Sequence, residues 1–90
     1  MSAHVLESGT PVLRTDTGAI FTGNATLIGF YVNSTTGGTL VIASVTNGAI
    51  SGTITPAIGF HRFPAFGAGG LSVTIANTIS VTFFVVPAAG

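Results

Sequence analysis

No window of this 90-residue chain repeats apolar residues at the 3.6-residue period of a helix, and thirteen glycines and four prolines break every stretch long enough to try. Fourteen threonines, stiff at χ1, favour extended backbone further. Alternation with period two takes the place of the helical period. Leu71, Val73 and Ile75 alternate with Ser72 and Thr74, and Ile79, Val81, Phe83 and Val85 alternate with Ser80, Thr82 and Phe84. Successive residues of a strand point to opposite faces, so this pattern predicts strands with one buried side.

Read from the N-terminus, Met1 to Pro11 is small and polar and is expected to be an arm. Val12–Thr17 reads as an edge strand carrying Arg14 and Asp16, and Ala19–Thr22 as a short strand turned by Gly23-Asn24. Thr26–Asn33 has Ile28, Phe30 and Val32 on one face and Leu27 and Tyr31 on the other, which suits a central strand. Asn33 to Gly38 reads as a turn, because Asn and Gly tolerate positive φ and Ser and Thr bond locally to the backbone.

Thr39–Thr46 follows, and Asn47-Gly48 predicts a hairpin to Ala49–Thr55, in which Gly52 weakens the pairing. Phe60–Phe66 is expected at a sheet edge, since Pro64 has no N–H to give a central ladder. Gly67 to Gly70 is a turn, Leu71–Ile75 a strand, Ala76-Asn77-Thr78 a tight turn, and Ile79–Val86 a last strand stopped by Pro87.

Seven or eight short strands without a helix predict an all-β fold, an antiparallel β-sandwich of jelly-roll type. The organisation is then an N-terminal arm, residues 1–11, and one sandwich domain, residues 12–90. The expected core is Ile28, Phe30, Val32, Leu40, Ile42, Ile54, Phe60, Leu71, Val73, Ile75, Val81 and Phe83.

Only 4 % of the residues are charged, against about 25 % in ordinary globular domains. Glu7, Arg14, Asp16 and Arg62 sum to zero and lysine is absent, so neither nucleic acid nor anionic lipid has a basic footprint to bind. Gly, Ser, Thr or Asn interrupts each apolar run well before the roughly 18 residues of a membrane span, so none is expected. Met1 to Pro11 lacks the basic and apolar stretches of a secretory leader. Without cysteine there is no disulfide framework and no thiolate metal site. A neutral surface lacks the self-repulsion that keeps monomers apart, which points to coverage by other copies or by a larger assembly.

Acid–base chemistry has only His4, Glu7, Asp16 and His61 to draw on, and the first two lie in the expected arm. That supply does not furnish a nucleophile, a base and an orienting group, so a non-enzymatic role is expected. Two distant histidines without a carboxylate cluster make no metal site, and no glycine-rich turn opens a helix that could hold phosphate, so no cofactor is expected.

The residues that stand out are suited to contacts. His61 and Arg62 lie between Phe60 and Phe63. Arg and aromatic side chains are frequent at interface hot spots, and the same pattern also fits core phenylalanines with charge at a strand edge. Arg14 and Asp16 are two apart, share a face if extended, and can pair with each other or across a subunit contact. Leu27, Tyr31 and Phe84 carry bulk on the outward side. The expected interface set is therefore Arg14, Asp16, Leu27, Tyr31, His61, Arg62, Phe63 and Phe84. Thr15-Asp16-Thr17 and Thr53-Ile54-Thr55 are the two Thr-x-Thr steps that could line up hydroxyls.

The stretches Val12 to Gly18, Thr26 to Asn33, Gly52 to Pro56 and Val81 to Val85 resemble small all-β virion proteins of tailed bacteriophages, and the resemblance covers most of the chain from Val12 onward. It implies a structural cement or decoration subunit on the outer surface of the capsid. The partners it implies are the major capsid protein and other copies of the chain, often as a homotrimer. An N-terminal arm in such a subunit can add a strand to a neighbour's exposed edge. The alternative is a carbohydrate- or host-surface-binding module of a phage fibre or spike, with Tyr31 beside Asn33 as its contact.

Overall fold

The computed structural model describes residues 10–87, and those residues are all-β with no helix. Six strands form one antiparallel sheet: β1 (Thr10–Arg14), β2 (Gly18–Thr22), β3 (Ala25–Ser44), β4 (Gly48–Ala49), β5 (Gly59–Gly67) and β6 (Gly70–Pro87). The expected class and the antiparallel pairing are found, but in fewer and longer strands. Thr10 and Pro11, expected in the arm, pair with Val85 and Phe84 of the same chain as the start of β1. The rest of the arm lies outside the described residues.

β3 and β6 pair along almost their whole length, from Ala25 opposite Pro87 to Ser44 opposite Leu71. Each has two sets of outer neighbours. β5 borders β3 from Ala25 to Val32, and β1 borders β6 from Val81 to Val85; these segments make a first arm of the sheet. The second arm consists of β2 beside the start of β6 and β4 beside the end of β3.

The arms cannot be coplanar and straight. Twenty residues of extended strand would run about 65 Å at ~3.3 Å each, whereas the longest dimension of the molecule is 38 Å. The sheet therefore bends. Three register shifts between β3 and β6, at Leu27/Gly29, Val32/Ser34 and Thr36/Gly37, each insert an extra residue, which kinks a strand and increases its twist.

At the last shift Gly37 (φ 63°) and Asn77 (φ 62°) are both left-handed, and the Asn77 side-chain amide donates to the Gly37 carbonyl at 2.9 Å. This corrects the reading of Asn33–Gly38 and Ala76–Thr78 as two separate turns. Thr36 and Gly37 lie opposite Thr78, so both segments form one corner through which paired strands continue. Turn chemistry is present in both, but neither reverses the chain.

The Asn47-Gly48 hairpin is present with a three-residue loop, 45–47, and with Gly48 at φ 86° opening β4. The expected partner strand Ala49–Thr55 shrinks to β4 and an isolated bridge between Ile54 and Leu40. Between them the loop satisfies β3 in other ways. The Ile50 and Ser51 amides donate to the Ile42 carbonyl at 2.8 and 3.1 Å, and the Ile42 amide donates to Ser51 Oγ at 2.9 Å.

One hydrophobic cluster joins the two arms, with Leu27, Phe30, Val32, Val81, Phe83 and Val85 from the first and Leu40, Ile42, Leu71 and Val73 from the second. Ile20, Ala25 and Ile79 complete it, none of them in the expected core. Ile54 and Ile75 are only partly buried against it, and Ile28 and Phe60 lie outside it.

Ser44 is the buried polar side chain within this frame. Its hydroxyl donates to the Ala68 carbonyl at 2.9 Å and accepts from the Asn47 amide at 3.1 Å, tying the 45–47 loop to the β5–β6 connection. Ser44→Ala should lower stability by about 1 kcal/mol, the net worth of a hydrogen bond lost where water can still reach one partner. Urea unfolding of the two proteins checks this, and an unchanged midpoint would show that the hydroxyl is dispensable.

Candidate functional site

The face of the first arm turned away from the core is built from rungs that cross three or all four of its strands. Leu13 of β1, Thr82 of β6, Tyr31 of β3 and Phe60 of β5 are direct neighbours in one rung. Pro11, Phe84, Gly29 and Arg62 form the next, and Val86, Thr26 and Phe66 the one after. Residues opposite one another in an antiparallel ladder share a face, so these side chains form one continuous surface.

That surface is apolar and uncovered. Leu13 is 60 % exposed, Phe66 55 %, Phe60 52 % and Tyr31 43 %. An isolated exposed apolar residue needs no explanation, but a contiguous group of this size does. The Phe60 and Phe84 rings pack at 6.0 Å between centroids, tilted by 58°, over Gly29. A Cβ on Gly29 would lie 2.8 Å from the Phe60 ring and 2.5 Å from the His61 carbonyl, so glycine is what lets the aromatic pair close over the strand.

Polar groups stand at the margins. Arg62 is exposed on the edge strand β5. At the corner end, Asn33 donates through its amide to Thr82 Oγ1 at 3.0 Å and to Ser80 Oγ at 3.5 Å. Asn33 is the residue inserted at the Val32/Ser34 shift, which places its side chain over β6.

Three residues of the expected interface set, Tyr31, Arg62 and Phe84, meet on this face. Leu27 does not, since it is fully buried in the core. The inserted residue at Ile28 reverses the alternation of β3, so Leu27 points inward with Phe30 rather than outward with Tyr31, and Ile28 leaves the core.

Phe60 and Phe63 exchange their expected places. An odd spacing in a strand puts them on opposite faces. Phe63 packs inward, 6.5 Å from the Phe30 ring, while Phe60 stands outward. His61 is also turned inward, with its ring 5.2 Å from that of Phe30 and its Nε2 2.8 Å from the Ala57 carbonyl oxygen.

Arg14 and Asp16 lie beyond the face and pair with each other at 3.0 Å across the turn from β1 to β2; the same guanidinium nitrogen donates to the Thr17 carbonyl at 3.3 Å. Asp16 is 81 % exposed, so the pair contributes about 0–1 kcal/mol and serves mainly to shape the turn. The Thr-x-Thr steps fall in that turn and in the loop before β5, where no ladder aligns them. Thr17 instead bonds through its hydroxyl to the Ile75 backbone, accepting from the amide at 2.8 Å and donating to the carbonyl at 3.2 Å.

Leu13, Phe60 and Phe66 are the large exposed apolar side chains of the face that lie outside the expected interface set. For the two phenylalanines the signal was there. Phe60, Arg62, Pro64 and Phe66 are evenly spaced by two, and a strand hides neither a lone arginine nor a proline in its core-facing row by choice. Leu13 carried no such mark.

Among the described residues no three His, Cys, Asp or Glu side chains gather as metal ligands, and no helix is long and apolar enough to cross a membrane. No protein-family model, curated protein or solved structure matches the chain.

Proposed function

We propose that this chain is a non-enzymatic structural subunit of a phage virion, a cement or decoration protein on the outer capsid surface whose partner is the major capsid protein. The observation that carries the reading is the aromatic face of the first arm, an uncovered apolar surface on a chain of zero net charge. Such a surface is costly to leave in water, and it marks an interaction site. The neutrality of the remainder removes the repulsion that would oppose close packing of many copies. The resemblance of the strand segments to small phage virion proteins supplies the kind of assembly.

We read the bent sheet as a small sandwich, its arms forming two layers over the shared core. A subunit of this build stabilises a shell by mass action. It binds the assembled lattice and not the free capsomers, so each bound copy shifts the equilibrium towards the closed form.

The surface-binding alternative is less well supported. Its contact pair was Tyr31 with Asn33, and the Asn33 amide is already engaged by Thr82 and Ser80.

The test is location. Particles from a lysate of the phage whose genome carries the coding sequence are banded on a density gradient and labelled with an antibody to the chain. Stoichiometric chain in the particle band with label on the heads is expected. Chain confined to the soluble fractions would overturn the virion role, and label restricted to fibres would favour the surface-binding module.

A further inference from the structure

We propose that the occupant of the aromatic face is a second copy of this chain, packed face to face about a two-fold axis, so that the working unit is a symmetric pair. The inference rests on the structural-subunit reading and deepens it by assigning the aromatic face to the contact between copies. A pair then takes the place of the homotrimer the resemblance implies, and the capsid protein is met by the remaining surface.

The molecule itself narrows the choice. An apolar, nearly uncharged surface requires an apolar, nearly uncharged counterpart, and Arg62 is the one charged side chain in its rungs. The outward side of the second arm is no match. Its rung reads Ala19, Ser72, Ala43 and Ala49, with Thr74 beside Val41 in the next, all small or hydroxyl-bearing except the valine. The other large exposed apolar side chains, Val45 and Ile58, stand singly in a turn and a loop. Among the described residues, the only surface of this chain that complements the aromatic face is the same face. A patch that is its own complement makes an isologous contact, and such contacts close with two-fold symmetry.

Pairing by sheet edges is disfavoured on this arm. Both of its edge strands among the described residues carry a proline, Pro11 in β1 and Pro64 in β5, and each removes a backbone donor that strand addition would need. Face-on stacking needs no such donor, and sheets pack face to face about 10 Å apart with interleaved side chains.

The area suits a weak, concentration-dependent pair. Four strands about 4.8 Å apart and roughly seven residues long span on the order of 400 Å² in plan, and the accessible area of a surface studded with rings is larger. Two copies then cover about 800 Å² in plan and somewhat more along the rings, which is the size of a weak, reversible contact, below the roughly 1,200 Å² of a stable one. Aromatic side chains and arginine, the residue types found here, are those that dominate such contacts. An interface of this size should dissociate within an accessible range of concentration.

Sedimentation equilibrium of the full chain across a hundredfold dilution tests the pair. The expected mass is twice 8.9 kDa at the concentrated end, falling towards 8.9 kDa on dilution. Phe60→Ser combined with Phe66→Ser should remain at the single-chain mass throughout, and so should Leu13→Ser, which alters the opposite margin of the face through a different strand. Val45→Ser, off the face, should pair like the parent. Circular dichroism and melting of each variant establish that it is folded, and Leu13→Ser carries the test if the double variant is not.

A parent that stays at the single-chain mass, a trimer, or a pair that survives both face variants would overturn the inference. The virion reading is decided separately by the gradient. Single chains found on heads would sink the pair and leave the subunit, whereas pairs absent from particles would sink the virion role and leave the pair.

Discussion

Replacing Phe30 by alanine is expected to remove about 3–5 kcal/mol of stability, the range for truncating a buried phenylalanine. Phe30 is 2 % exposed and joins three strands. It lies opposite Phe83 on β6 and His61 on β5 in the registered ladders, and its ring is 5.8 Å from that of Phe83, 6.5 Å from Phe63 and 5.2 Å from His61. Aromatic contacts of this kind add about 0.5–1.5 kcal/mol beyond the buried area. A domain of this size has on the order of 5–10 kcal/mol in total, and each kcal/mol moves the midpoint by about 4–8 °C. Phe30→Ala should therefore melt at least about 12 °C below the parent or be unfolded at room temperature. Thermal circular dichroism reads this directly. A shift of only a few degrees would mean that the four rings do not form a common core.

Gly70→Ala should have an effect of similar size for a different reason. Gly70 opens β6 where the chain crosses from the first arm to the second, at φ 131°, a region that side-chain-bearing residues rarely enter. A Cβ there would lie 2.6 Å from the Phe21 carbonyl oxygen and 3.2 Å from a Val45 methyl. The Gly70 carbonyl accepts from the Val45 amide at 3.0 Å, so the backbone is held from both sides and cannot turn away. Strain of about 1–3 kcal/mol adds to an overpacking cost of about 1–3 kcal/mol. Urea unfolding of Gly70→Ala should show a loss of roughly 3 kcal/mol or more, and a loss below about 1 kcal/mol would show that the crossing is not rigid.

The β class was legible because alternation and the scarcity of helix formers are local properties. The edge position of β5 was legible from Pro64, which acts through a missing donor whatever the rest of the fold does. The continuity of β3 and β6 was not. Asn33–Gly38 and Ala76–Thr78 have the residues of turns, and only their position opposite each other makes them a corner in paired strands. Local chemistry shows that the backbone departs from regular β geometry, but not whether the chain reverses.

The same limit governed the site. Face assignment by parity holds until a residue is inserted, and insertion at Ile28 moved Leu27 from the expected contact surface into the core. Tyr31 and Phe84 stand on the outward face because Gly29 to Val32 run in register with Phe84 to Val81, with the inserted residues of β3 falling on either side of that stretch. Phe60 and Phe63 fail as a pair because an odd spacing forces one of them inward, and the flanking Arg62 and Pro64 decide which.

The central claim is that the aromatic face becomes covered when the chain assembles, and the sequence supplies a reporter for it. Tyr31 is the only tyrosine, there is no tryptophan, and its side chain stands on that face between Phe60 and Thr82, in the rung nearest the corner. Tyrosine emission of the unmodified chain, quenched by acrylamide at a series of protein concentrations, therefore reports on that surface alone. The expected result is strong quenching in dilute solution that falls severalfold as the mass doubles. Quenching that stays the same while the mass rises would place the contact elsewhere and contradict the claim.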